Sequence, residues 1–238
     1  MKKEANVNLL NAAVQDRLRV LPDASRLPSL ARCSSLYKQY QEADAVFLID
    51  EGLVKLTRMN GTGGKIILSI CGPGQLVGEE ALSEDVQRYY TEALSITAVT
   101  IHRIPRKAIM GALAAESGLG SALVSYLLNR KLALAEKVEL LCLHDVEHRI
   151  LHYLQELSAL LPAGENGGGH SIPITQLELA DLIGATRETT STTLNQLERQ
   201  GLLKLSRRLL TIPAPEALRR AADARLLPLN AAANGAAR

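Results

Sequence analysis

Cysteine is scarce in this sequence of 238 residues, and what there is does not pair. Cys33, Cys71 and Cys142 lie far apart, no two at CxxC spacing, and three are too few for an all-cysteine iron–sulfur site. They read as small buried hydrophobes. Net charge is nearly absent as well: 27 Lys and Arg against 25 Asp and Glu leave +2, so any electrostatic footprint for nucleic acid must be local. Long apolar runs are missing, all falling well short of the ~20 residues of a membrane helix. The start, MKKEANVNLLNAAV, carries two lysines, but Glu4, Asn6 and Asn8 interrupt any signal-peptide core, so the cytoplasm is the expected location. No P-loop, nucleophile elbow or metal-hydrolase signature occurs, and Glu79-Glu80 alone is not an acid/base pair, so no enzyme is expected.

What is present reads as a soluble globular chain, 47% apolar and 22% charged. Up to about Leu36 the sequence is weakly periodic and suggests short helices. From Ala45 to Ile104, β-branched and polar residues alternate between turns at Glu51-Gly52, Asn60-Gly61, Gly63-Gly64 and Gly72-Pro73-Gly74. Short strands punctuated in this way predict an antiparallel roll or barrel. A long helix follows, from about Leu119 to Leu143. Val124, Leu127, Lys131, Leu134, Val138 and Leu141 fall at heptad positions a and d, all apolar but Lys131. Leu128, Leu132, Ala135 and Cys142 widen the stripe enough to serve two surfaces, its own subunit and a partner helix. A second helix, Val146 to Leu160, ends in the Pro/Gly-rich loop LPAGENGGGHSIP. Two short helices, a strand–turn–strand GLLKLSRRLLTIP and a frayed tail, 226–238, complete the chain.

The segment ITQLELADLIGATRETTSTTLNQLERQGLL has the anatomy of a helix-turn-helix. Thr175 caps the first helix, with Glu178 placed to complete a capping box. Leu179, Ala180, Leu182 and Ile183 supply its core, and Gly184 stands where the tight turn needs positive φ. Thr186 caps the second helix, anchored by Leu194 and Leu197. Arg187, Glu188, Ser191 and Thr192 then lie on its first two exposed turns, the part that enters a major groove. Arginine can bind guanine O6 and N7 bidentately and glutamate can accept from cytosine N4. Hydroxyls at the helix start suit phosphate oxygens, and Arg199, Lys204, Arg207 and Arg208 add the local charge that the net figure hides.

With the segments ADAVFLIDEGLVKL, GPGQLVGEEAL and LHDVEHRILHYL, the long helix and TRETTSTTLN, the chain resembles the CRP/FNR superfamily of bacterial transcription regulators. The resemblance implies an α+β fold: an amino-terminal cyclic-nucleotide-binding-type antiparallel β-roll (1–118), a dimerisation helix (119–143) and a carboxy-terminal winged helix-turn-helix domain (144–225). It implies a homodimer, formed through Val124, Leu127, Leu134, Val138 and Leu141, on a palindromic site in double-stranded DNA, with RNA polymerase a further partner and no membrane. By position, Arg187 and Glu188 match the family's first two base readers, and Thr175, Thr186 and Thr189 its phosphate-contacting hydroxyls. Thr192 stands where cyclic-AMP-responsive members have a third base-reading arginine, so the half-site is expected to differ from theirs. Thr190 and Thr193 occupy two usually aliphatic places. They are the sole support for the alternative, a ligand-binding module whose DNA-binding domain has lost its role.

In cyclic-nucleotide-binding members a Gly-Glu pair holds the ribose and an Arg-Ser or Arg-Thr pair the phosphate. Gly78-Glu79 fits the first. The second falls on Tyr89-Tyr90, with Arg88 one residue early, and one residue of slip in a strand turns a side chain to the other face. Cyclic AMP is therefore not the expected effector. Nor is haem, since Gly78 and Glu80 stand where carbon-monoxide sensors carry their cysteine and histidine ligands; no cofactor is expected. The glycine turn before ADAVFLID is missing, which predicts shortened first strands. His144, His148 and His152 recur every four residues but have no clear further ligand, so no metal site is expected. Asp145 and Arg149 beside them suit a structural ion pair.

Overall fold

The computed structural model describes residues 9–161 and 169–224. The lysine-bearing start, part of the Pro/Gly-rich loop and the tail 226–238 lie outside them. The described residues fall into two units, one ending at Glu136 and one beginning at Lys137.

The first unit is the antiparallel roll. A short helix, α1 (Ala12–Arg19), is capped by the Asn11 side chain, which accepts from the Val14 N–H. Eight strands follow: β1 (Ser25–Arg26), β2 (Ser35–Tyr37), β3 (Ala45–Glu51), β4 (Val54–Met59), β5 (Lys65–Cys71), β6 (Leu76–Val77), β7 (Glu92–Ser95) and β8 (Thr100–Pro105). They form two antiparallel sheets, in the orders β1-β8-β3-β6 and β2-β7-β4-β5. β3 is buried from Ala45 to Ile49, which is why its sequence is a continuous apolar run rather than an alternation. The first two strands are indeed short, yet both are paired, β1 with β8 and β2 with β7.

After β8 come α2 (Arg106–Ala115) and α3 (Ser117–Leu143). Helix α2 and a 3-10 turn, Glu79–Leu82, which opens at Gly78, have no counterpart among the elements expected from the sequence. Leu119, Leu123 and Tyr126 of α3 join the core of the roll with Phe47, Leu48, Ile101 and Ile104. The opposite side of α3 leaves Val124, Leu127, Leu128, Leu132, Leu134 and Val138 exposed. The helix is thus apolar on two faces.

The second unit contains α4 (Val146–Ala159), β9 (His170–Ile172), α5 (Gln176–Ile183), α6 (Arg187–Arg199), β10 (Lys204–Ser206), β11 (Leu209–Ile212) and a last helical segment, 215–224. Its sheet has the order β10-β11-β9, all antiparallel. Helix-turn-helix plus this small sheet is the winged form the sequence implied. The cysteines depart from the reading: Cys71 is buried, but Cys33 and Cys142 are exposed. Cys33 sits at a turn with φ 65°, and Cys142 faces away from the packed side of α3. No single helix among the described residues is long and apolar enough to cross a membrane.

Candidate nucleic-acid interface

Helix α5 begins with a complete capping box. The Thr175 hydroxyl accepts from the Glu178 N–H at 3.1 Å, and Glu178 Oε2 accepts from the Thr175 N–H at 2.9 Å. The Thr175 hydroxyl also donates to Glu178 Oε2 at 2.8 Å. Its proton is committed, so a phosphate would have to displace that bond. Helix α5 ends at Gly184, whose φ of 65° suits the left-handed cap and whose missing Cβ leaves room for Leu141, with Cδ2 2.8 Å from where that atom would stand.

Thr186 caps α6 by accepting from the Thr189 N–H at 3.2 Å, and the two hydroxyl oxygens lie 3.0 Å apart. Behind this cap Arg187, Glu188, Thr189 and Thr192 are exposed, with Ser191 half-buried beside them. Leu194 and Leu197 are fully buried on the other side. The threonines divide their work. Thr190 is fully buried and donates to the Thr186 carbonyl at 2.8 Å, while Thr193 donates to the Thr189 carbonyl at 2.9 Å. A hydroxyl satisfied within its own helix can take an aliphatic residue's place in a core. Free N–H groups, the positive end of the helix dipole and an exposed arginine therefore share one surface. Arg199, Lys204, Arg207 and Arg208 are exposed too, the last two at the tip of the β10–β11 hairpin, where Arg208 has φ 62°.

Two family models match the chain: the Crp-like helix-turn-helix domain over residues 148–221 and the cyclic nucleotide-binding domain over residues 29–116. The cAMP-activated global transcriptional regulator CRP of Salmonella typhimurium is 29% identical over 170 residues, 71% of this chain and 81% of that one. The nitrogen fixation regulation protein FixK of Azorhizobium caulinodans is 28% identical over 186 residues, 76% of this chain and 73% of that one. The chain belongs to the CRP/FNR superfamily. Its fold is shared with FixK2 from Bradyrhizobium japonicum, at a TM-score of 0.73 and 20% identity, over 84% of this chain and 97% of that one. It is thus a CRP/FNR-type DNA-binding transcription regulator with a cyclic-nucleotide-binding-type domain, and its relatives are regulators rather than enzymes.

In the roll of this CRP/FNR chain, the candidate effector residues are engaged by the protein itself. Gly78 has φ 83°, and a Cβ there would meet the Tyr89 ring at 3.1 Å. Glu79 pairs with Arg130 Nε on α3 at 3.2 Å, and that guanidinium also donates to Cys71 Sγ at 3.3 Å and Ser69 Oγ at 3.4 Å. Arg88 turns outward and donates to the Tyr40 carbonyl at 2.9 Å. Tyr89 is fully buried, stacked on Tyr37 with centroids 3.9 Å apart, and its hydroxyl donates to the Ala45 carbonyl at 2.6 Å. Burial pushes its phenol up to about 12. Tyr90 is exposed beneath the Arg58 guanidinium, 3.5 Å from the ring centroid, while its N–H donates to Glu80. Burial raises the Glu80 carboxyl above the usual range. Sequence reasoning missed Arg130 and Tyr37. Arg130 had one signal, a charge on the same helical face as Leu123 and Tyr126.

The His144 and His148 rings stack, with centroids 4.2 Å apart and planes 17° apart; His152 lies 4.0 Å from Glu156. Among the described residues no group of three suited to a metal occurs. The Asp145 side chain caps α4 by accepting from the His148 N–H at 2.8 Å. Arg149 reaches instead to the Ile183 carbonyl, also at 2.8 Å.

Proposed function

We propose that the chain acts as a homodimer on a palindromic double-stranded site, reading each half with the first turns of α6, under control of a signal received at the roll. The observation that carries the reading is the exposed row Arg187, Glu188 and Thr192 behind the Thr186 cap. Arg187 reads a guanine; Glu188, Ser191 and Thr192 contact neighbouring bases; Thr186 and Thr189 hold phosphate. Thr175 serves first as a cap. Val124, Leu127, Leu134 and Val138 face the partner's α3, and their exposure in the single chain supports that role. Leu141 is half-buried and divides its contact with Gly184. The effector is not cyclic AMP, because a buried tyrosine replaces the phosphate-binding arginine and Arg130 already holds Glu79; nor is it haem, because Gly78 and Glu80 stand where the carbon-monoxide sensors have their ligands. RNA polymerase is the partner that a regulator of this family addresses.

Selection of bound DNA from a random pool tests the reading. Wild type should yield a palindrome with half-sites roughly 34–36 Å apart. Arg187→Ala should cost about 1–3 kcal/mol and relax one position in each half-site, while Thr192→Arg should add a guanine preference nearby. Pools without symmetry, or identical for all three proteins, would remove the reading.

A further inference from the structure

Three residues, two near the end of α3 and one at the start of α4, meet the helix-turn-helix where it turns. Lys137, only 6% exposed, donates from Nζ to the Leu182 carbonyl at 2.7 Å. Its ammonium lies 5.0 Å from the Tyr153 ring centroid on α4. Arg149 donates to the next carbonyl, Ile183, at 2.8 Å. Leu182 and Ile183 end α5, so their carbonyls are among those the helix cannot pair for itself, and they lie at its negative end. Leu141, one turn beyond Lys137, fills the space left by Gly184.

Arg149 shows that a carbonyl of this helix end can be served from the neighbouring helix α4, so capping alone does not require a side chain from α3. Lys137 is also costly. Burial drives the ammonium down to about 8 although Glu156 acts the other way. What distinguishes Lys137 from Arg149 is its origin on α3, the helix that carries the exposed apolar row. Between α3 and α4 stand only His144 and Asp145. So short a hinge fixes a position but not an angle, whereas a charge-assisted bond from α3 to the end of α5 fixes the angle as well.

We infer that Lys137 is a positioning residue for DNA recognition: by holding the end of α5 on α3, it sets the spacing of the two half-sites that a dimer can read. The inference rests on the homodimer reading above. Wild type, Lys137→Met, Lys137→Arg and Leu141→Ala would be compared on an isolated half-site and on palindromes whose spacer is lengthened or shortened by one base pair. Lys137→Met should stay dimeric and bind the half-site within about twofold of wild type. On the wild-type spacing it should lose roughly tenfold, and its preference among spacers should flatten. Lys137→Arg should restore the preference. Leu141→Ala should flatten it too, which keeps the test open if Lys137→Met does not fold. A Lys137→Met protein as selective for spacing as wild type overturns the inference, as does one whose half-site and palindrome affinities fall together. A wild type indifferent to palindromes would instead remove the dimer reading, and this inference with it.

Discussion

Arg208 holds a backbone conformation that arginine avoids. At φ 62°, on the tip of the β10–β11 hairpin, an L side chain costs on the order of 1 kcal/mol that glycine does not. With exposed Arg207 beside it, the side chain offers a second cation to a phosphate. Arg208→Gly should raise stability in urea by up to about 1 kcal/mol while weakening DNA binding and lowering the salt slope by about 1. An unchanged slope in anisotropy titrations would place the wing off the DNA. At this scale the sequence was legible where the role is local. The capping box, the Thr186 cap and positive φ at Gly184 follow from spacing alone. The buried role of Tyr89 does not, because it depends on the Ala45 carbonyl, which only the folded backbone brings near.

Among elements, α3 carries two apolar faces, one against its own chain and one outward. Leu134 and Val138 are 49% and 60% exposed. Changing both to aspartate should leave the fold intact, give monomers by light scattering and abolish palindrome binding; dimers that persist would move the interface elsewhere. Lys137 gives a second test. Burial lowers its ammonium from 10.5 to about 8 in the folded chain. Between those values the unfolded chain binds the extra proton, so stability rises with pH, at most by about 1.4 kcal/mol per unit. Below about 8 both states are protonated and the cost of the buried charge is fully present. The stability of wild type relative to Lys137→Met should therefore be flat below pH 8 and climb above it; a flat difference throughout would mean that the ammonium is well hydrated. The breadth of α3 was readable as heptads plus extra apolar positions. Helix α2 was not, because its Arg106–Ala115 run follows β8 without a side-chain cap or a break to announce it.

For the whole molecule, the succession of roll, long helix and winged helix-turn-helix was legible because each has its own punctuation: glycine turns, heptads, then a capped helix pair. Strand order was not. Ser25 pairs with Arg103 and Ser35 with Leu94, and strands this short carry too few residues to declare so distant a partner. The same distribution of residues has a spectroscopic consequence. The chain has no tryptophan and six tyrosines. Tyr37, Tyr40, Tyr89, Tyr90 and Tyr126 lie in the unit ending at Glu136, and Tyr153 alone in the other. Phenol absorption and emission, with no indole to mask them, therefore report on the roll, and the stacked Tyr37–Tyr89 pair should dominate the near-ultraviolet dichroism. On heating, this signal should part from the far-ultraviolet signal of the helices, since two units of separate core need not melt together. Coincident curves would mean one cooperative unit. A compound that occupies the roll should delay the tyrosine transition first, giving the unmodified protein its own label for such binding.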